Sequence, residues 1–239
     1  MAGAKPTIAV LAVQGAFAEH ERRLSALGCE VVELRQAADL RRPFQGLVLP
    51  GGESTVQAKL LRDLGMFDEL RQRIAGGLPT LGTCAGLILL AESVQGTGDL
   101  AGLNEQAAQV RVAVEGFGTL PVTVRRNAYG RQLGSFRAMG TLTGSTLAAG
   151  PAADAGGPLP ADQPPAGATT ADPVPLTFIR APRIEAVGAG AIPLVTYEGH
   201  PVAVRSGNQI GAAFHPELDD DDRLFRLFLD LVRASAPLA

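Results

Sequence analysis

The sequence predicts an α/β protein with three layers: a mostly parallel central sheet, helices on both of its faces, and added antiparallel strands in the second half. In the first half, short apolar runs rich in β-branched residues alternate with longer segments of helical period. In the second half, strand-like runs follow one another across short turns. The 239 residues suffice for one domain with a sizeable core, and we expect a single domain over 1–239.

The elements of the first half follow from this alternation. Predicted strands cover 7–13, 29–34, 46–50 and 78–82. Predicted helices cover 17–27, 54–64, 66–75 and the stretch from the glycine-rich turn at 82–86 through about Glu92. In the second half, strands are predicted at 120–126, 134–139, 175–180 and within 191–216. A closing helix is predicted over 219–235, because four acidic residues precede apolar residues at helical spacing.

One segment departs from this plan. Residues 148–175 hold nine Ala, seven Pro and four Gly with no Lys, Arg or aromatic residue. Such a composition buries too little apolar surface to offset its ordering entropy. We therefore expect a flexible insertion at about 148–175. A Pro-rich docking motif is the alternative, although no P-x-x-P with basic neighbours is present.

Composition narrows the class of protein. A formal net charge of −3 gives no reason to expect nucleic acid or an anionic membrane as a partner. No run approaches the length of a membrane span, and the first apolar run lacks a signal-peptide cleavage pattern. Two cysteines in a chain this long do not form a disulfide framework. We therefore expect the protein to be located in the reducing environment of the cytoplasm.

Cys84 lies in the pattern Gly82-Thr83-Cys84-Ala85-Gly86, between a predicted strand and a predicted helix. This is the nucleophile-elbow pattern, with sulfur in place of a hydroxyl. Glycines are needed because the turn is sharp, and a helix N-terminus favours the reactive thiolate form of a cysteine placed there. The alternative is an inert buried cysteine.

A cysteine nucleophile needs a base, and the chain has three histidines. His215 is expected to end a strand. Pro216 is expected to keep the chain extended, so that Glu217 projects beside His215. His215 would then accept the thiol proton, and Glu217 would fix its tautomer. His20 is expected to face solvent or to cap a contact, and His200 to lie in a solvated turn.

The Gly-Gly turn in "LVLPGGEST" (47–55) offers free backbone N–H groups. Together with the N–H of Ala85, the N–H of Gly52 would make a two-donor oxyanion hole. A phosphate site is disfavoured because no lysine follows and Glu53 would repel a phosphate.

The elbow "GTCAG", the turn "PGGEST" and the terminal "FHPE" resemble class I glutamine amidotransferases, whose Cys-His-Glu triad releases ammonia from glutamine. The motifs "VQGAFAEH" (13–20), "RNAYGRQ" (126–132) and "FIRAP" (178–182) resemble the glutaminase subunits of pyridoxal 5′-phosphate synthases. They separate this branch from amidotransferases that serve histidine, purine, pyrimidine or folate synthesis. The resemblance covers nearly the whole chain and implies the class I glutamine amidotransferase fold.

The resemblance also implies a role for each matching residue. Cys84 would be the nucleophile, His215 the base and Glu217 the orienting carboxylate. Gln14 would lie near the oxyanion region and the partner interface. The L-glutamine pocket would comprise Gly52, Glu53, Ser54, Arg126, Ile179 and Arg180. An arginine suits the substrate carboxylate, and Glu53 suits its ammonium.

The same resemblance implies a separate synthase subunit, which receives the ammonia through a protein tunnel and makes pyridoxal 5′-phosphate from ribose 5-phosphate and glyceraldehyde 3-phosphate. It implies no cofactor and no metal. The chain departs from the family in the insertion at 148–175, in extra residues at about 104–118, and in Arg125, where an acidic residue is usual. Two alternatives stay open: a related Cys-His hydrolase of peptides or γ-glutamyl compounds, and a non-catalytic interaction subunit.

Overall fold

The computed structural model describes residues 5–96, 116–126, 135–143 and 172–235, and elements are numbered within these ranges. The strands are β1 (Thr7–Leu11), β2 (Glu30–Leu34), β3 (Gly46–Leu49), β4 (Thr80–Thr83), β5 (Ala91–Gln95), β6 (Leu120–Arg125), β7 (Ser135–Leu142), β8 (Asp172–Ile179), β9 (Arg183–Val187), β10 (Ala191–Tyr197), β11 (His200–Ser206) and β12 (Gln209–Ala212). The helices are α1 (Phe17–Ala26), α2 (Ser54–Asp63), α3 (Phe67–Ala75), α4 (Ala85–Leu90) and α5 (Arg223–Ala234), with 3₁₀ turns at Ala37–Arg41 and Pro216–Leu218.

Nine strands form one mixed sheet in the order β2-β1-β3-β4-β12-β11-β10-β7-β8. Neighbours from β2 to β12 run parallel, and neighbours from β12 to β8 run antiparallel. A smaller sheet has the order β5-β6-β9. The predicted α/β class, with a parallel first half and antiparallel strands in the second, is confirmed.

Helices cover both faces of the large sheet, as β3 shows. A Cβ on Gly46 would lie 2.8 Å from Val232 of α5, whereas Leu49 packs against Gly86 of α4. Because side chains alternate along a strand, positions 46 and 49 point to opposite faces. Helices α4 and α5 therefore lie on opposite faces of the large sheet, which confirms the three predicted layers.

Of the helices the structure describes, none is long and apolar enough to cross a membrane.

The carboxyl ends of the parallel strands meet at one edge of the large sheet. The chain leaves β1 toward Gln14, β3 toward Gly51, β4 at Cys84 and β12 toward His215. All four residues line one pocket. The fold thus gathers the predicted functional segments where ligands bind in open α/β sheets.

The helix predicted through Glu92 is too long. Helix α4 ends at Leu90, and the chain continues as β5, whose Ser93 and Val94 pair with Thr123 and Val124 of β6. Strand β9, which the sequence did not predict, closes the same small sheet by pairing with β6. Both strands depend on pairing partners far along the chain, which local periodicity does not reveal.

The expected insertion at 148–175 includes four residues that belong to the sheet. Residues 172–175 open β8, where Leu142 pairs with Asp172 and Met139 with Pro175. β8 lies at the end of the sheet. Proline is tolerated on such an edge strand because it lacks only the N–H that a second neighbour would use. Residues 144–171 lie outside the described part of the chain.

Candidate active site

Cys84 occupies a strained turn between β4 and α4. Its φ of 49° lies in the left-handed region, which costs an L residue about 1–3 kcal/mol. A Cβ on Gly82 would lie 2.7 Å from the Gly86 carbonyl, and one on Gly86 would lie 2.0 Å from the Leu49 carbonyl oxygen. Glycine is required at both positions because the strand and helix approach so closely.

The elbow is tied to two other strands. The backbone N–H of Cys84 donates to the carbonyl of Ala212 in β12 at 2.8 Å. Its sulfur lies 3.8 Å from the carbonyl oxygen of Ile179, the last residue of β8. Both cysteines of the chain, Cys84 and Cys29, are free and buried.

His215 and Glu217 meet, although by a different local geometry from the one predicted. Pro216 opens a 3₁₀ turn over Pro216–Leu218 instead of keeping the chain extended. The fixed φ of proline suits the first position of a helical turn. The turn brings Glu217 Oε1 to 2.7 Å from His215 Nδ1. Both side chains are buried, and His215 Nε2 has no hydrogen-bond partner among the described residues.

The charge states of this pair follow from their surroundings. Burial alone would lower the pKa of His215, but the neighbouring Cys84 and the Glu217 carboxylate raise it to about 10. Burial alone would raise the pKa of Glu217, but His20 and His215 hold it below its usual range. At neutral pH the pair is therefore an imidazolium beside a carboxylate.

His20, expected to face solvent or to cap a contact, lies instead behind Glu217. It has no exposed surface, and its Nε2 is 3.4 Å from Glu217 Oε2 and 3.1 Å from Thr83 Oγ1. The only other fully buried residue of α1 is Leu24, four positions later. Residues four apart share one helix face, so this spacing was the sequence signal for a buried histidine.

The Gly-Gly turn packs between His215 and Gln14. A Cβ on Gly51 would lie 2.4 Å from His215 Cε1, and one on Gly52 would lie 2.4 Å from Gln14 Oε1. Gln14 Oε1 accepts a hydrogen bond from the Glu53 N–H at 2.8 Å, and its carbonyl accepts one from Gln57 Nε2 at 2.9 Å. Gln14 thereby holds the turn against the end of β1.

The two expected oxyanion donors come from two different segments, the elbow and the Gly-Gly turn. Ala85 follows it as the first residue of α4, where backbone N–H groups have no partner within the helix. Gly52 lines the pocket that contains Cys84.

Glu53 and Arg126 form an ion pair at the pocket. Glu53 caps α2 by accepting from the N–H groups of Thr55 and Val56, and it also accepts from Arg126 Nη2 at 2.8 Å. Arg126 Nη1 donates to Thr55 Oγ1 at 3.1 Å. Burial would raise the pKa of Glu53, but the two backbone N–H donors and Arg126 hold it below its usual value. Both signs of charge are thus present at one wall.

The pocket at this edge has a volume of about 250 Å³. Ser54, buried, has a hydroxyl without a hydrogen-bond partner among the described residues. Ile179 and Arg180 form the wall that follows β8, and Arg180 has a positive φ of 45°. The lining residues are Gln14, Gly15, Ala16, Gly51, Gly52, Glu53, Ser54, Cys84, Ile88, Arg126, Ile179, Arg180 and His215.

Within the described ranges, no group of three or more His, Cys, Asp or Glu could hold a metal ion.

Known proteins are similar to this chain in fold and in sequence. A solved structure described as a glutamine amidotransferase is 34% identical, has a TM-score of 0.73, and aligns over 95% of this chain and 98% of its own. The PurLQS structure from Thermotoga maritima is 13% identical with a TM-score of 0.59, over 95% and 99% of the two chains, and shows the fold alone. The fold is that of the class I glutamine amidotransferases.

The sequence comparisons narrow this class to one family. The model of the SNO glutamine amidotransferase family matches residues 10–149 and 166–234. "Pyridoxal 5'-phosphate synthase subunit PdxT" of Desulfitobacterium hafniense (strain Y51) is 48% identical over 94% of this chain and 92% of the relative. The protein of the same name from Methanocorpusculum labreanum is 42% identical over 94% and 97%. The chain belongs to the SNO glutamine amidotransferase family and is an enzyme of that class.

Proposed function

We propose that this chain hydrolyses L-glutamine to L-glutamate and ammonia at Cys84. The observation that carries the proposal is the meeting of a strained cysteine elbow and the His215–Glu217 pair in one pocket at the carboxyl edge of the sheet. An inert structural cysteine would need neither the elbow nor a buried histidine–glutamate pair whose imidazole lines the same pocket.

The reaction has two halves. His215 holds the proton of the Cys84 thiol, and the Cys84 thiolate attacks the side-chain amide carbon of glutamine, while the N–H groups of Gly52 and Ala85 stabilise the resulting oxyanion. His215, protonated through its pairing with Glu217, donates a proton to the departing nitrogen, so that ammonia leaves and a thioester forms. His215 then accepts a proton from water, the resulting hydroxide attacks the thioester carbon, and the C–S bond breaks to release glutamate and return Cys84 as the thiolate beside protonated His215.

The pocket suits the free amino-acid end of glutamine. Arg126 is oriented by Glu53 and Thr55, and Arg180, which follows β8, lines the same pocket. A guanidinium binds a carboxylate through paired donors. The Glu53 carboxylate and the Ser54 hydroxyl are acceptors for the substrate ammonium. Gly52 and Ile179 complete the pocket around the carbon chain.

The ammonia is delivered to a synthase subunit that makes pyridoxal 5′-phosphate, in a hetero-oligomeric complex. The support is that the relatives from Desulfitobacterium hafniense and Methanocorpusculum labreanum are named as subunits of that synthase. Free ammonia becomes ammonium at neutral pH and loses its nucleophilicity, which is a physical reason to couple the two sites. Both cysteines are free thiols, which supports a reducing compartment, the cytoplasm.

The test is glutamate release by the chain with and without the synthase subunit. We expect low activity alone and activation in the complex, abolished in Cys84→Ala but retained in Cys29→Ala, the matched change at the other buried thiol. Binding of the synthase subunit should survive both changes. Turnover that persists in Cys84→Ala would contradict the mechanism, and full activity without the partner would contradict the coupling. Greater turnover of a γ-glutamyl peptide than of glutamine would contradict the substrate.

A further inference from the structure

The two oxygens of the Glu217 carboxylate have different surroundings. Oε1 is paired with His215 Nδ1 at 2.7 Å, whereas Oε2 lies 3.4 Å from His20 Nε2 and accepts no hydrogen bond of ordinary geometry from the described residues. Neither the His20 nor the Glu217 side chain has exposed surface. A buried carboxylate oxygen without a donor is costly, and His20 Nε2 is the nitrogen that faces this oxygen.

His20 is surrounded by groups that favour one neutral tautomer. Burial lowers the pKa of His20 by more than the nearby Glu217 raises it, so the ring carries a single N–H at neutral pH. Nδ1 has no hydrogen-bond partner among the described residues, while Nε2 faces Glu217 Oε2 and Thr83 Oγ1. We assign the hydrogen to Nε2, which faces two oxygen atoms, whereas Nδ1 faces none to which it could donate.

The position of His20 connects both halves of the candidate site. Its Nε2 reaches Glu217, the partner of His215. The same ring nitrogen also lies 3.1 Å from Oγ1 of Thr83, the residue immediately before Cys84. The ring is held from α5 by Phe225, at 5.7 Å between ring centroids. A single side chain of α1 thus touches the carboxylate and the elbow.

We propose that His20 is a positioning residue: its Nε2–H holds the Glu217 carboxylate in the orientation that keeps His215 paired and its Nε2 free toward Cys84. The inference rests on the proposed glutaminase function. His20 touches neither the sulfur nor the substrate pocket, and it acts through Glu217.

Loss of His20 should make Glu217 easier to protonate. The charged and titratable groups around Glu217 are His215 on its own segment and, from α1, His20 and Arg23, whose Nε donates to the Glu217 carbonyl at 3.4 Å. Glu19 of α1 acts on His20. Without the His20 donor, Glu217 takes up a proton at higher pH and His215 loses its partner. The acid limb of activity then moves toward neutral pH.

The experiment compares His20→Leu, which keeps an apolar side chain of similar size, with His20→Gln, which restores an N–H donor near the position of Nε2. Both are assayed in the complex with the synthase subunit, alongside their melting temperatures. We expect His20→Leu to lower kcat about 10- to 100-fold, with KM nearly unchanged and the acid limb of the kcat profile at higher pH. His20→Gln should recover most of kcat and the wild-type limb.

An unchanged kcat and pH profile in His20→Leu would overturn the inference. Equal losses of kcat in the Leu and Gln variants, in proportion to their losses of melting temperature, would also overturn it. That is the behaviour of a purely structural residue. If His20→Leu does not fold, His20→Asn replaces it, because its amide reaches only toward the Nδ1 position and should fail where Gln succeeds.

A measurement without turnover separates this inference from the proposed function. NMR titration of the His215 ring should show its pKa lower in His20→Leu than in the wild type, and restored in His20→Gln. A wild-type complex that releases no glutamate would contradict the proposed function alone. An unshifted His215 titration in a folded His20→Leu would contradict the positioning role alone.

Discussion

His215 is held in its charged form by groups on both sides of its ring. Burial opposes the charge, yet Cys84 and Glu217 raise its pKa to about 10. Protonated His215 is the form that can give a proton to departing ammonia. The ionisation of this one residue therefore sets the upper pH limit of the proposed activity.

The pH dependence of kcat/KM in the complex tests this at the residue scale, because kcat/KM reports the ionisation of the free enzyme. It should fall on the alkaline side as His215 loses its proton near pH 10. In Glu217→Gln the carboxylate no longer raises the His215 pKa, so the alkaline limb should move to lower pH and kcat should fall by about 100-fold or more. Glu92→Gln, a change at an exposed position of β5, serves as the control. An alkaline limb that does not move in Glu217→Gln would contradict the assignment.

Individual residues differ in how far the sequence alone could place them. Cys84, His215 and Glu217 could be singled out because each lies in a short motif at the end of a predicted strand. The role of His20 could not, since its buried partner lies 197 positions away in the chain. Glu53 could be placed in the pocket, but its pairing with Arg126 depends on contacts between distant segments.

At the scale of elements, the elbow depends on how closely α4 approaches the sheet. A Cβ on Gly86 would overlap the Leu49 carbonyl oxygen at 2.0 Å, and backbone cannot rotate away as a side chain can. The close approach is what aims Cys84 into the pocket.

Gly86→Ala should therefore destabilise the chain by about 1–3 kcal/mol, measured as the free energy of unfolding in urea, and reduce kcat in the complex. The control is Gly76→Ala at the end of α3, where φ is −74° and the nearest atom to an added Cβ is 3.1 Å away. That change should alter stability much less. Equal stability of the two variants would mean that the elbow tolerates a side chain and that the close approach is not required.

Local patterns predicted the parallel half of the sheet and the closing helix because those elements alternate regularly along the chain. They failed for β5 and β9, whose hydrogen bonds go to a strand remote in sequence. They also failed at Pro216, where the residue expected to extend the chain starts a 3₁₀ turn. Proline fixes φ but leaves ψ free, so extended chain and helical turn are both open to it.

At the scale of the whole molecule, β7 and β8 show where the chain tolerates extra length. They pair in antiparallel register up to Leu142 and Asp172, so the ends of the connection between them lie side by side. The family model leaves out residues 150–165 of that connection. We propose that this segment is an insertion that the single domain does not need.

Deletion of 150–165 should leave the melting temperature within a few degrees of the wild type, since a shorter loop has a slightly smaller closure entropy. Glutaminase activity in the complex should be retained. A matched deletion of four residues within β8, 172–175, should destabilise the chain because it removes paired backbone. Loss of folding or of activity on deleting 150–165 would show that the segment contributes to the domain or to the site.

The central claim is that Cys84 attacks the side-chain carbonyl of glutamine, and covalent capture tests it most directly. The chain, in complex with the synthase subunit, is treated with an electrophilic glutamine analogue and digested, and the adduct is located by mass spectrometry. We predict one adduct, on Cys84, suppressed by excess L-glutamine and absent in His215→Ala at neutral pH. An adduct on Cys29, or modification of Cys84 that excess glutamine does not suppress, would contradict the claim.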